Sequence, residues 1–193
     1  MKYKISKEDA LIIVDLQNDF CAGGALEVPG ANQVIPIINT YIEKFKSAGG
    51  RIFATRDWHP RNHSSFKSMG GPWPPHCVQG THGAKIHSDV KLPFEAEIVN
   101  KGVGREQEGY SGFEATGLAE ELRARGIKRL FIGGLAIDYC VKHTVLDGLN
   151  NGFEVVYLDD ASRGVEVSPG DVKKAIREMA EKGARIATLK DFA

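Results

Sequence analysis

Six short apolar runs, alternating with segments of helical periodicity, constrain this chain more than any other feature. Strands that alternate with helices build a parallel sheet joined by crossover helices. The runs are ALIIVD (10–15), RIFATR (51–56), EIVNK (97–101), RLFIGG (129–134), FEVVYLDD (153–160) and ARIATL (184–189). Segment 31–48 places Val34, Ile35, Ile38, Ile42 and Phe45 on one stripe and stops at Gly49-Gly50, as an amphipathic helix does. Segments 115–125, 139–150 and 169–182 read likewise, each closing near a glycine (Gly126, Gly152, Gly183). Ser168-Pro169 offers the last of them a cap residue and a first-turn proline. The pattern predicts one doubly wound α/β domain over 1–193, without internal repeats or linkers.

Composition narrows the partners. A chain of 193 residues with 42% hydrophobic content fills one core. Lys plus Arg and Asp plus Glu both number 25, so the net charge is zero. That balance lacks the basic excess that a nucleic acid or an anionic membrane attracts, and it suits a small, roughly neutral substrate. The apolar stretch Ala10 to Val14 is too short for a membrane span or a signal segment. Three cysteines, Cys21, Cys77 and Cys140, form no CxxC pair, which suggests reduced thiols rather than a disulfide framework or a zinc knuckle. A cytoplasmic protein is expected.

Chemically complementary residues fall at successive strand ends. Asp15 closes the first run, Asp57 and His59 follow the second, Lys101 closes the third and Cys140 follows the fourth. Open α/β sheets bind ligands outside the carboxyl ends of their strands. Cys140 sits where a strand passes through glycines into a helix, and the free N–H groups and positive dipole end there are expected to favour thiolate. Taken alone, a cysteine in that place also reads as a small buried hydrophobe. His143, three residues further on, offers a rival Cys/His dyad, although Asp15 and Lys101 make a better aimed pair.

The long irregular stretch 57–95 is rich in Pro, Gly, His and Trp, and loops of that length usually carry function. Asp57, His59, His63 and His76 combine a carboxylate with imidazoles, a donor set suited to zinc, manganese or iron. Three protein ligands would leave coordination positions open. The alternative is a group of exposed loop histidines with no metal, which is the reading given to His82 and His87.

Seven motifs together resemble the nicotinamidases among the isochorismatase-like cysteine hydrolases. They are DLQNDF (15–20), GGALEVPGA (23–31), TRDWHPRNHSSF (55–66), WPPHCVQGT (73–81), KG (101–102), YSGF (110–113) and GGLAIDYCV (133–141). Isochorismatases proper lack the cysteine and the carbamoyl-cleaving relatives typically lack the metal loop, whereas this chain has both. The resemblance implies a three-layer α/β/α fold on a six-stranded parallel sheet and a catalytic triad of Asp15, Lys101 and Cys140. It implies metal ligands Asp57, His59 and His76, with His63 at a position that binds the ion only in some relatives. One divalent ion is implied, zinc first, with iron or manganese as alternatives. The backbone N–H groups of Ala136 and Cys140 would form an oxyanion hole, with a cis peptide before Ala136. Phe20, Trp73, Tyr110 and Leu26 are expected around the substrate ring. The implied reaction converts nicotinamide, and pyrazinamide, to the acid and ammonia through a cysteine thioester, in pyridine-nucleotide salvage and NAD biosynthesis. Two other readings stay open: a hydrolase of another small amide, carbamoyl or maleamate-like, and a non-catalytic metal-binding protein. The sequence leaves the oligomeric state open, a homo-oligomer included.

Overall fold

Strands that are apolar on both sides need cover on both faces of their sheet, and the helices supply it. The computed structural model describes residues 2–193. Its strands are β1 (Asp9–Val14), β2 (Arg51–Asp57), β3 (Glu97–Lys101), β4 (Arg129–Leu135), β5 (Glu154–Arg163) and β6 (Arg185–Ala187). They form one sheet in the order β3-β2-β1-β4-β5-β6, and every pairing is parallel. The helices are α1 (Ala31–Ala48), α2 (Leu118–Ala124), α3 (Lys142–Asn150) and α4 (Asp171–Glu181).

β1 shows how the layers form. Its six residues are all buried, and successive side chains leave on opposite faces. Leu11 and Ile13 join Val34, Ile38, Ile42 and Phe45 of α1 in one apolar cluster. Ala10, Ile12 and Val14 join Leu118 and Leu122 of α2, Val145 of α3 and Met179 of α4 in the other. Each large side chain buried this way contributes roughly 1.5–3 kcal/mol. The result is the three-layer α/β/α sandwich on six parallel strands that the motifs implied.

Strand order reverses between β1 and β4, so a cleft opens above their carboxyl ends. Here the backbones crowd together: a Cβ on Gly134 would sit 2.1 Å from the carbonyl oxygen of Val14. The β4–β5 register also shifts between Ile132 and Gly134. The peptide between Leu135 and Ala136 is cis, as the resemblance implied.

Several boundaries differ from those read off the sequence. Run 184–189 gives only three strand residues, because Thr188 and Asp191 form a reciprocal capping box that turns Leu189–Asp191 into a 3-10 turn. Helix 139–150 begins instead as a π-helical turn, Ile137–Val141, that runs into α3. α4 starts at Asp171, and Ser168-Pro169 lies before it rather than at its first turn. The carboxylate of Glu166 takes over the capping, accepting the N–H groups of Gly170 (2.7 Å) and Val172 (2.8 Å). Among the described residues no helix is long and apolar enough to cross a membrane.

Candidate active site

Strand register assembles the polar cluster. Asp57 and Lys101 are direct partners across β2 and β3, so their side chains leave the sheet on the same side. Asp15 follows β1 in a left-handed backbone conformation (φ 51°), which few non-glycine residues adopt. Thr55 on β2 fixes it: the Asp15 N–H donates to the Thr55 carbonyl (3.2 Å) and the Thr55 hydroxyl donates to Asp15 Oδ1 (2.7 Å). Lys101 Nζ lies 2.7 Å from Asp15 Oδ2 and 2.5 Å from Asp57 Oδ1. It also donates to the Gly109 carbonyl at 2.6 Å and stands 3.4 Å from Cys140 Sγ. All four side chains are buried.

Burial and charge set the proton affinities. Burial alone would strip the proton from Lys101, but Asp15, Asp57 and Cys140 outweigh it and hold the ammonium well above the ordinary lysine range. Burial raises Asp15 above its usual value, with Lys101 opposing and Asp57 reinforcing. Oδ2 of Asp15 also has no well-aligned hydrogen bond, so this oxygen is free to take a proton. At Asp57 burial pushes upward too, but the Lys101 ammonium prevails and holds the carboxyl below the usual range. Burial raises the Cys140 thiol well above its ordinary value, a push that Lys101 opposes only in part. Desolvation at this buried position thus works against the thiolate expected from the strand-to-helix turn, while the Lys101 ammonium beside the sulfur works for it.

Ligand atoms of Asp57, His59 and His76 lie within 4.8 Å of one another. The hydrogen bonds of the two imidazoles decide what they present. Nδ1 of His59 faces the Gly102 carbonyl at 2.9 Å, and Nδ1 of His76 faces the Pro74 carbonyl at 2.8 Å. A carbonyl can only accept, so both Nδ1 atoms carry the proton and both Nε2 atoms present bare lone pairs. The remaining oxygen of Asp57, Oδ2, lies 3.5 Å from His59 Nε2. A carboxylate and two imidazoles oriented by backbone carbonyls are the donor set of a divalent-metal site, so these residues fit such an ion. His63 is not brought into the cluster. Its Nε2 donates to the Gln107 carbonyl (2.7 Å), its Nδ1 meets the Ser65 hydroxyl (2.7 Å), and its ring stacks on His59 at 4.0 Å.

Three features keep these ligands in place. Gln17 is fully buried; its Nε2 donates to the carbonyls of Asp57 (2.8 Å) and Ala84 (2.9 Å), and its Oε1 accepts the Asp57 N–H (2.8 Å). Asp19 accepts the Cys77 N–H at 2.7 Å, beside His76. Gly102 has φ 59°, and a Cβ there would sit 2.5 Å from Cε1 of His59, so only glycine lets the ring approach.

An apolar cavity opens between this cluster and Cys140. Phe20, Leu26, Trp73 and Tyr110, all singled out in the sequence, line it, together with Val28, Leu135, Ala136, Tyr139 and Val165. Trp73 Nε1 donates to the Tyr110 hydroxyl (3.1 Å), and Phe20 packs against His76 with centroids 5.6 Å apart. Asp57 and His76 border one side and Cys140 another. His143 stacks on Tyr110 at 5.4 Å and has no hydrogen bond to Cys140 among the described residues. Sequence reasoning missed Gln17, Thr55, Asp138 and Val165. An amide inside the DLQNDF motif and a lone acid in the apolar GGLAIDYCV segment were the available signals for Gln17 and Asp138, whereas Val165 follows no motif.

An isochorismatase domain profile matches residues 9–191. A nicotinamidase of Escherichia coli (strain K12) is 40% identical over 204 residues, covering 95% of this chain and 96% of that protein. The crystal structure of a pyrazinamidase of Pyrococcus horikoshii in complex with zinc superposes with a TM-score of 0.90 at 51% identity, covering 94% of this chain and 99% of the other. That of PnC1 from L. infantum in complex with nicotinate gives 0.93 at 36% identity, covering 100% and 99%.

Proposed function

The chain belongs to the isochorismatase domain family, and from that premise we infer that it hydrolyses nicotinamide, and pyrazinamide, to the corresponding acid and ammonia. The observation that carries the reading is the buried contact of Lys101 with Asp15 and Cys140 beside a cavity bordered by the Asp57–His59–His76 cluster. A thiol, a carboxylate of raised proton affinity and a permanent cation at one mouth suit amide cleavage by covalent catalysis.

In this reading Asp15 takes the Cys140 proton as the sulfur attacks the carboxamide carbon. The oxyanion that forms is met by the backbone N–H groups of Ala136 and Cys140; one such donor lowers a barrier by about 3 kcal/mol. Asp15 returns its proton to the amide nitrogen as the C–N bond breaks, releasing ammonia and leaving a thioester. Asp15 then deprotonates water, which attacks the thioester, and the proton ends on the departing sulfur. Lys101 holds Asp15 in place and keeps its charge balanced through both halves. Burial raises the proton affinity of Cys140, which suits a sequence in which the thiol proton moves to Asp15 as the sulfur attacks.

Asp57, His59 and His76 would hold the divalent ion, and we propose zinc. When bound, the ion supplies an open coordination position for a neutral nitrogen donor such as a pyridine nitrogen. Phe20, Leu26, Trp73 and Tyr110 would enclose the ring by apolar contact and exclude water. We also propose a cytoplasmic protein, a reading supported by three unpaired, buried cysteines.

Ammonia release from nicotinamide by the purified protein tests the reading, alongside Cys140→Ala and a chelator-treated sample. Release by the intact protein and loss in both controls is the expected result. No release by the metal-loaded protein would defeat it.

A further inference from the structure

Val165 forms part of the cavity wall, yet it lies beyond β5 in a segment of irregular backbone. What holds it there is one side chain from another part of the fold. The Asp138 carboxylate accepts the Val165 N–H at Oδ1 (2.9 Å) and the Glu166 N–H at Oδ2 (2.7 Å). Asp138 is only 8% exposed, and among the described residues no cation stands within ion-pair distance of it. Its two hydrogen bonds to successive amides are therefore its main compensation for burial, and bonds to an ionised acceptor are the strong kind.

The neighbouring geometry leaves the strap little freedom. A Cβ on Gly164 would meet Cγ2 of Val172 at 2.3 Å and Oδ1 of Asp138 at 3.1 Å. Glu166 takes a left-handed conformation (φ 56°) and spends its carboxylate on the N–H groups of Gly170 and Val172. The segment is thus fastened to Asp138 at one end and to the start of α4 at the other. Asp138 itself lies in the π-helical turn Ile137–Val141 that carries Cys140. One turn therefore presents the sulfur to the cavity and fixes the distance of the Val165 wall from it.

We infer that Asp138 is a positioning residue that sets which ring-substituted amides the cavity admits, by pinning Val165 as one of its walls. The inference rests on the nicotinamide reading. The class of ligand concerned is a planar aromatic carboxamide, and the property controlled is tolerance of a small apolar substituent on the ring.

The test compares kcat and KM for nicotinamide and for ring-methylated nicotinamides in the wild type, Val165→Ala, Asp138→Asn and the double variant. Removing methyl groups from the wall is expected to ease discrimination against the methylated ring by ~10-fold or more. Asparagine can accept only one of the two N–H groups and turns an NH2 toward the other, so D138N is expected to ease discrimination in the same direction, chiefly through KM. In the V165A background D138N is expected to add little to the ratio, because the two act through one wall. The rate of Cys140 alkylation by iodoacetamide is expected to match the wild type in D138N. Asp138→Glu, which keeps both oxygens but advances the strap, supplies a second reading should D138N fold poorly: it is expected to sharpen discrimination. Equal loss on all substrates with an unchanged ratio, or fully additive changes in the double variant, would overturn the inference. A wild type that hydrolyses no nicotinamide fails the earlier reading and takes this one with it; a wild type that does, with a ratio indifferent to residue 138, fails this one alone.

Discussion

Lys101 and Asp57 join the two halves of the site: Nζ lies 2.5 Å from Oδ1, while the other oxygen of the same carboxylate faces His59. A carboxylate shared in this way ties the position of the cation beside Cys140 to that of the candidate metal ligands. In the proposed function, replacing either group is therefore expected to disturb both the thiol chemistry and metal binding.

Lys101→Met removes the charge at similar volume and leaves Asp15 and Asp57 buried and uncompensated. Breaking a buried ion network by deleting one partner costs about 3–5 kcal/mol. Denaturant titration is expected to show a loss of that order, and nicotinamide hydrolysis to fall ~100-fold or more. A variant of wild-type stability would show that the lysine is not the counter-ion described.

The base must be ionised to act, and burial raises the Asp15 pKa above the ordinary aspartate value of 3.8. A raised pKa moves loss of the active form to higher pH. The acid limb of the kcat/KM profile is therefore expected to fall with an apparent pKa above 3.8. The Thr55 hydroxyl donates to the charged form, so Thr55→Val is expected to move that limb higher still. An acid limb at or below the ordinary value would exclude Asp15 as the base.

His76→Ala deletes a bare Nε2 from the cluster, whereas His63→Ala deletes a ring whose nitrogens are already engaged. Calorimetric zinc titration of chelator-stripped protein is expected to show affinity largely lost in the first variant. In the second it is expected to fall by no more than ~10–100-fold, the scale of an orienting neighbour. Equal, complete loss in both would make His63 a ligand.

Gln17→Leu keeps the bulk of the side chain but orphans the Asp57 N–H and two buried carbonyls. Each orphaned group costs about 1–3 kcal/mol, so thermal unfolding is expected well below the wild-type temperature. Zinc affinity is also expected to drop, because the end of β2 that carries Asp57 loses its clamp. Unchanged affinity in a folded variant would separate Gln17 from the site.

Sequence periodicity was enough for the architecture, because apolar runs buried on both faces and glycine-stopped helices admit few arrangements. Strand-end positions singled out Asp15, Asp57, His59, Lys101 and Cys140, whereas His76 came from the loop after β2 and the choice of Asp57, His59 and His76 as ligands from the family resemblance. The way those residues behave was decided in three dimensions. The sequence alone suggested a thiolate at Cys140, but the structure surrounds the sulfur closely enough that desolvation works against it. The sequence left His63 open, and the carbonyl of Gln107, 44 residues away, occupies its Nε2. Val165 and Asp138 share no motif, and only the return of the chain after β5 brings one carboxylate onto two distant amides. Local pattern determines which segments become strands and helices. Proton affinities, tautomers and cavity walls depend on long-range neighbours, which packing alone brings together.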